Sequence, residues 1–559
     1  MPKLEKIDMQ SPYNSLEFLC FENLQKCQYW DTKVDNEHVE RFPKLCQLSI
    51  IECPKLTAEL LDDYPLLEDL KISDCAKLIV SFLSFPKLTK LQIGECKEVV
   101  STSSSTSQIT SIKFEPLPDV AEFENWLREN FNCVEKPFKW THSLTSLVYL
   151  NIESCSFSFL NTIFLPNLIH LRIENCLALK SLPKRLKQMK VQRMGICHCD
   201  SPLFIARNML PSSLKRLKVS DCKKLKHLEG ISSTLLEYLS IRDCESLTHL
   251  SSRGLLPNTL KHLQVDSCPN LTTLLSRRCC AHKKLECLHI HNCPRLRSIE
   301  EAFHNSPCLK KIDLAGLQNN GLFGLQSLTG LQELSIEGGL VLPVEIIPTS
   351  LRSLVIKKDV ETSKTLIRWG LHKLTSLKRL SISGFEDPEL ILSENQRMPI
   401  SLEFLEIFNL GPLRSISDLG MFTSLKELKI GDSNFNSIPD LGSLVSLKIF
   451  CIWNCPKIKS IPGFGSHSSL EEFRIISCPK LKSMACLGSL NSLQNLRIQS
   501  CPKLKSLPSP PSSLLELEIQ KCPLLKKQWR RGKGKYCSKV AHIPLVKIDG
   551  KFIFNSKEE

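Results

Sequence analysis

Between Leu447 and Leu525 the chain repeats one phrase four times. SLKIFCIWNCPKIKSIP, SLEEFRIISCPKLKSM, SLQNLRIQSCPKLKSLP and SLLELEIQKCPLL share the template L-x-x-L/F-x-I-x-x-C-P-x-L/I. The leading Leu447, Leu470, Leu493 and Leu514 stand 23, 23 and 21 residues apart. A fixed period of this size confines the chain to an array of stacked, near-identical coils.

Within one coil, Leu496 and Ile498 alternate as in a strand, while Asn495, Arg497 and Gln499 point to the other face. Pro502 and the Ser/Pro clusters beyond it forbid a continuous strand or helix, so the chain turns and returns. A single coil cannot stand alone. Roughly 1.5–3 kcal/mol per buried Leu or Ile barely offsets ~1–2 kcal/mol of backbone ordering per residue. Stacking buries each apolar edge against the next. The expected fold is therefore an α/β repeat solenoid, a leucine-rich-repeat horseshoe of about twenty coils. Parallel strands line its concave face, with mostly loops or short helical turns on the convex face.

Cysteine recurs at one template position, including Cys53, Cys75, Cys96, Cys155, Cys176, Cys222, Cys244, Cys268, Cys293, Cys455, Cys478, Cys501 and Cys522. A small thiol at a tight inward turn acts as a compact hydrophobe. Equivalent positions in a solenoid form a ladder rather than chosen disulfide pairs. The 26 cysteines and the lack of a secretory apolar run in MPKLEKIDMQ point to a reducing, cytoplasmic setting. No apolar stretch is long enough to span a membrane, and Asn270-Leu-Thr272 is the single glycosylation sequon. Net charge is +15, from 73 Lys and Arg against 58 Asp and Glu, part of it in KKQWRRGKGKYCSK between Lys526 and Lys539. With only Trp529 and Tyr536 among its basic residues, too few for a stacking platform, this reads as a solvated basic tail, not a nucleic-acid site.

In chain order, the expected organisation is N-terminal repeats over 1–99, an irregular Ser/Thr-rich insertion over 100–145, the main repeat array over 146–525 and a basic C-terminal tail over 526–559. The insertion holds STSSSTSQITS and a candidate amphipathic helix near 119–130. In the main array, a poor coil led by Leu186 interrupts the rhythm with steps of 18 and 28 residues, and coils from Leu309 to Leu425 lack the cysteine.

FPKLCQLSIIECPKLTAELLDDYPLLEDLKISDC (42–75), LPSSLKRLKVSDCKKLKHL (210–228), LPNTLKHLQVDSCPNLTTL (256–274) and the ending CPLLKKQWRRGKGKYCSKVAHIPLVKIDGK (522–551) resemble the leucine-rich-repeat region of plant intracellular immune receptors of the coiled-coil, nucleotide-binding type. The resemblance implies a region that senses a pathogen effector, or a host protein altered by one, and restrains an attached nucleotide-binding switch. The receptors' P-loop is missing. GKGK at Gly532 lacks the spacing and the following Ser or Thr, and GFGS at Gly463 has no Lys. The chain thus resembles the sensor half alone, with no cofactor expected. A leucine-rich-repeat substrate receptor of a ubiquitin ligase is the alternative, but residues 1–44 are too short and too repeat-like for an F-box bundle.

Partners are expected on the inner sheet, because repeat arrays bind through it. Phe404, Phe408, Trp453, Arg474 and Arg497 combine aromatic and Arg residues, the composition of interface hot spots. Glu52, Asp74, Glu95, Glu153 and Glu174 form an acidic ladder that suits a basic partner, such as a nucleotide-binding domain. Cys287, His289 and His291 share a strand face and could present zinc ligands, although three ligands on one flat strand rarely close a tetrahedron. The reading favours no metal there, and the Cys197-His198-Cys199 cluster is weaker still. No Ser/His/Asp or Cys/His constellation supports an enzyme.

Overall fold

The computed structural model describes residues 4–8, 13–31, 42–57, 59–60, 64–81, 85, 87–94, 96–101, 110–113, 146–154, 165–176, 179, 181–182, 184–200, 205, 209–228, 231, 234–250, 256–274, 284–297, 299, 306–318, 325–338, 347–357, 371–384, 399–409, 419, 422–434, 436–438, 441–465, 469–485, 487–528, 540 and 542–555. Two compact units divide the chain: Met1–Leu285 with Asn292–Leu296, and Glu286–His291 with Arg297–Glu559.

Each template becomes a five-residue strand whose second and fourth side chains are buried, as in Asn495–Gln499. In the amino-terminal unit the strands Gln47–Ile51, Asp69–Ser73, Lys90–Gly94, Tyr149–Glu153 and His170–Glu174 pair in parallel, each in register with the next. Leu48, Leu70, Leu91, Leu150 and Leu171 therefore stack in one row, and Ile50, Ile72, Ile93, Ile152 and Ile173 in another, all buried. In the carboxy-terminal unit the same ladder runs from Cys287–His291 through Phe404–Phe408 and Asn495–Gln499 to Leu545–Ile548. Like side chains meet like at every step, so the buried rows interdigitate without a partner of special shape. Helical content among the described residues is confined to short turns, such as Lys184–Gln188 and Pro523–Gln528. This is a leucine-rich-repeat solenoid of parallel strands.

The corner after each strand is a left-handed residue. Glu52, Asp74, Asn175, Asp221, Asp243, Asn292, Asn409, Asp432 and Asn454 all have φ between 45° and 54°. Asn and Asp tolerate this region best among residues with a Cβ. Coils led by Leu309, Leu331 and Leu377 use Gly316, Gly338 and Gly384 there instead. The corner N–H donates to the last carbonyl of the next strand, as in Asp221 to Arg242 (3.0 Å) and Asn454 to Ile476 (2.8 Å). Lys521 occupies the same corner at φ 49° without the local side-chain compensation of Asn or Asp. Lys521→Gly should therefore raise stability by about 1 kcal/mol, read from the denaturant midpoint.

The template cysteine follows the corner and caps the strand end. The Cys244, Cys455, Cys501 and Cys522 thiols each donate to the carbonyl two residues earlier, at 3.2–3.4 Å. Ser433 replaces cysteine in the coil led by Leu425 and makes the same bond, to Gly431, at 2.6 Å. No disulfide joins cysteines among the described residues. A hydrogen bond to Cys478, then burial, pushes Cys501 up to about 12, and burial pushes Cys455 up to about 11. Each unit of rise removes about tenfold of the reactive thiolate. Alkylation read by mass spectrometry should accordingly label the exposed Cys20 and Cys308 well before Cys501 or Cys455.

The poor coil proves regular once its strand, Arg193–Cys197, is located. Met194 and Ile196 fill the buried positions, so Val191, not Leu186, is the leading residue, and Cys199 takes the ladder position. Leu186 belongs to the short helical turn before it. With Val191 as the lead, the steps from Leu168 and to Leu214 are both 23. β-Branched Val in place of Leu hid the phase.

Strand Lys90–Gly94 pairs directly with Tyr149–Glu153, so the sheet continues in register across residues 95–148. Part of that stretch, Cys96–Ser101 with the antiparallel Thr110–Lys113, belongs to a smaller separate sheet. The candidate helix near 119–130 lies outside the described residues. At the other end, the segment read as a basic tail contains the last strand: Leu545–Ile548 continues the parallel sheet and Lys551–Asn555 folds back antiparallel to it. Asp549 and Gly550, both at positive φ, make the turn. Asp549 accepts from the Lys521 N–H at 2.8 Å and from the Lys526 ammonium, tying this hairpin to the preceding coil.

Candidate functional site

Positions one, three and five of each strand face away from the core and carry whatever chemistry the sheet offers. At position five of three successive strands, Phe408, Gly431 and Trp453 are register partners. A Cβ at Gly431 would sit 1.9 Å from Trp453 Cε2, so the indole lies flat across that glycine. There it reaches Phe408, with ring centroids 6.4 Å apart. Trp453 Nε1–H donates to Asp432 Oδ2 at 3.0 Å, and Asn454 Nδ2 donates to the other oxygen at 2.6 Å. Asp432 is itself a left-handed corner residue, and these two bonds hold its carboxylate.

The other residues singled out from sequence fall elsewhere on the face. Phe404 is at position one of the strand that ends in Phe408, roughly 13 Å away at ~3.3 Å per residue, and Arg379 stacks over its ring at 4.3 Å. Arg474 and Arg497 are register partners at position three. Their like charges are balanced: Arg474 pairs with Glu472, and Arg497 Nε reaches Glu518 Oε2 at 3.2 Å. The structure thus brings Phe408 to Trp453 and Arg474 to Arg497, and leaves Phe404 apart with Arg379.

The acidic residues near the start divide into two sets. Glu153 and Glu174 are register partners at position five, whereas Glu52 and Asp74 are corner residues one step past the strand. Glu95 lies outside the described residues. Glu174 takes a two-pronged bond from Arg172 at 2.8 and 3.1 Å, and Glu153 accepts from Asn175 at 3.1 Å. Arg172 thus offsets the charge of Glu174, while Glu153 keeps its own.

A charged column just before the strands escaped the sequence reading. Lys378 and Lys426 both bridge Glu403 at 2.7 Å, and Lys448 bridges Glu471 at 2.7 Å. Bonds from Lys378 and Lys426 hold the Glu403 carboxyl at about 2. Each exposed pair is worth ~1 kcal/mol or less, so the column adds little to a register already held by the strand pairing.

Of the three zinc ligands weighed from sequence, two meet a different third. His289 Nδ1 lies 3.0 Å from Asp313 Oδ2 on the next strand, and His291 Nε2 lies 3.3 Å from Asp313 Oδ1. Cys287 faces Lys311 in register instead. Burial alone would raise Asp313, but hydrogen bonds from His291 and Ser335 and the two imidazoles hold it at about 2. Asp313 occupies the same template position as His289, one coil on, so counting positions between coils reveals the pair.

These ladders and the polar outer face define a leucine-rich-repeat solenoid, a fold built to present an extended binding surface. No family model matches the sequence. Over 318 residues, 51% of this chain, the sequence is 29% identical to the Arabidopsis thaliana protein described as "Putative disease resistance protein At3g14460". The chain spans 21% of that relative's length. Similar solved structures include the circular leucine-rich-repeat protein CroV588, with a TM-score of 0.42, 13% identity and coverage of 86% of this chain and 79% of that one. The Leptospira interrogans leucine-rich-repeat protein LIC12759 gives a TM-score of 0.36, 17% identity and coverage of 66% and 93%. The functional domain of InlJ from Listeria monocytogenes, which includes a cysteine ladder, gives 0.32, 16% identity and coverage of 56% and 66%. The chain is a leucine-rich-repeat array similar in sequence to part of that disease-resistance relative. Among the described residues, no helix is long and apolar enough to cross a membrane.

Proposed function

We propose that this chain is the sensor region of a plant immune receptor of the coiled-coil, nucleotide-binding class. It acts in the cytoplasm by binding a protein, not by catalysis. Its partner is a pathogen effector or a host protein altered by one, and in the resting state it restrains the nucleotide-binding domain. The observation that carries this reading is the Phe408–Gly431–Trp453 seat: a large aromatic side chain on the solvent-facing side of the sheet, locked by Asp432 before any partner arrives. A side chain already fixed loses little conformational freedom on binding, and Trp is enriched among the residues that dominate interface energies. Arg474 and Arg497, one and two strands further on, add planar donors suited to carboxylates. Similarity to the Arabidopsis disease-resistance protein supports the setting.

Co-expression of this chain with a coiled-coil and nucleotide-binding fragment of a receptor of this class, in leaf tissue, tests the reading. The expected result is co-precipitation and suppression of the fragment's cell-death response. The double variant Trp453→Ala/Arg474→Ala, still folded by circular dichroism, should weaken association at least tenfold, about 1.4 kcal/mol. Equal association by the double variant would remove the patch from the interface.

A further inference from the structure

We propose that His289, His291 and Asp313 form a binding site for a divalent ion of the zinc class on the solvent-facing side of the sheet in the carboxy-terminal unit. All three ligand atoms lie within 4.8 Å of one another. A tetrahedral zinc with bonds of ~2.0–2.1 Å sets its ligand atoms about 3.3 Å apart. The two imidazoles now contact different oxygens of Asp313, at 3.0 and 3.3 Å, so small side-chain rotations would bring one atom of each residue to that spacing. The imidazole rings lie beside each other, centroids 3.8 Å apart.

The scaffold is rigid where it needs to be. His289 and His291 are positions three and five of Cys287–His291, so they emerge on one face, and Asp313 is the register partner of His289 on Lys311–Ala315. Between them Leu288, Ile290, Ile312 and Leu314 are wholly buried, which fixes both backbones. Only side-chain torsions remain to adjust. Ser335, register partner of Asp313 on the next strand, hydrogen-bonds the carboxylate and orients it, the supporting role that outer partners play at metal centres. The Lys311 ammonium is paired with Glu333 at 2.7 Å. Side-chain exposures of 26–29% leave the cluster partly dehydrated with one side open, the arrangement that keeps a fourth position for water or a donor from another molecule.

The donor set selects the ion. Two imidazole nitrogens and one carboxylate suit zinc and its neighbours, copper(II) and nickel(II), whereas calcium and magnesium prefer oxygen alone. Cys287 is outside the set, so the ion carries no thiolate.

The test is a titration of the full chain with Zn²⁺ by calorimetry, repeated with Co²⁺ and followed by visible absorption. The expected result is one site showing cobalt ligand-field bands without thiolate charge transfer. His289→Ala/His291→Ala should abolish that site. Ser335→Ala, which keeps every ligand, should weaken it by roughly ten- to a hundredfold. Circular dichroism confirms that each variant is folded, and Ser335→Ala with the wild-type cobalt spectrum decides the matter if the double variant does not fold. No saturable binding by the wild type, unchanged binding by the double variant, or a cobalt spectrum dominated by thiolate charge transfer would each overturn the site.

Discussion

Phe473→Ala is expected to cost 3–5 kcal/mol, the range for emptying a wholly buried aromatic site, and to be among the most destabilising single changes in the carboxy-terminal unit. Phe473 is fully buried and lies 5.3 Å from both Phe450 and Phe464, ring centre to ring centre. It takes a position that most coils fill with Leu. Its register partners are Phe450 on one side and Leu496 on the other. Neither neighbour can fill the void, because both are held by their own strand pairs. Since each coil touches only the next, the damage should be local. Hydrogen exchange should lose protection first in Ile449–Trp453, Glu472–Ile476 and Asn495–Gln499, alongside a lower denaturant midpoint. Uniform loss of protection along the whole unit would mean that the coils unfold as a single block.

The second large effect is expected at Gly431→Val, through Trp453. Contacts of 1.9–2.3 Å between a Cβ at residue 431 and the indole cannot be relieved by small shifts, because the neighbouring atoms belong to a bulky ring. The indole must leave its seat, giving up Phe408 and the bond to Asp432. Partner affinity should fall by about 2 kcal/mol or more, the level that marks a hot spot, or roughly thirtyfold and upward. Stability should change far less than in Phe473→Ala, because the affected groups are on the solvent-facing side of the sheet. Matched loss of affinity in Gly431→Val and Trp453→Ala would show that the seat matters as much as the side chain it holds. Full affinity in Gly431→Val would show that the indole binds from some other position.

Much of the coil was legible from the template. Leu496, Ile498, Cys501 and Leu504 are buried as their spacing requires, because a two-residue alternation allows only one face inward. The coil led by Val191 was misphased because Leu186 offered a better match to the pattern than the residue that leads the strand. The closing hairpin at Leu545–Ile548 and Lys551–Asn555 was obscured by the basic run before it. The choice of Phe408, Trp453, Arg474 and Arg497 rested on residue type, and composition alone could not say that Phe404 stands at the far end of the same strand from Phe408.

What the sequence by itself determined was what repeats within a coil: the strand, its inward face and the buried thiol at the turn, since these depend on residues a few positions apart. Only the tertiary structure decided what meets between coils. Asp313 closing on His289 and His291, Trp453 lying over Gly431, and Glu403 held between Lys378 and Lys426 all join residues about one repeat apart. Such meetings depend on the register of one strand against the next, and loops of unequal length conceal that register until the strands are paired.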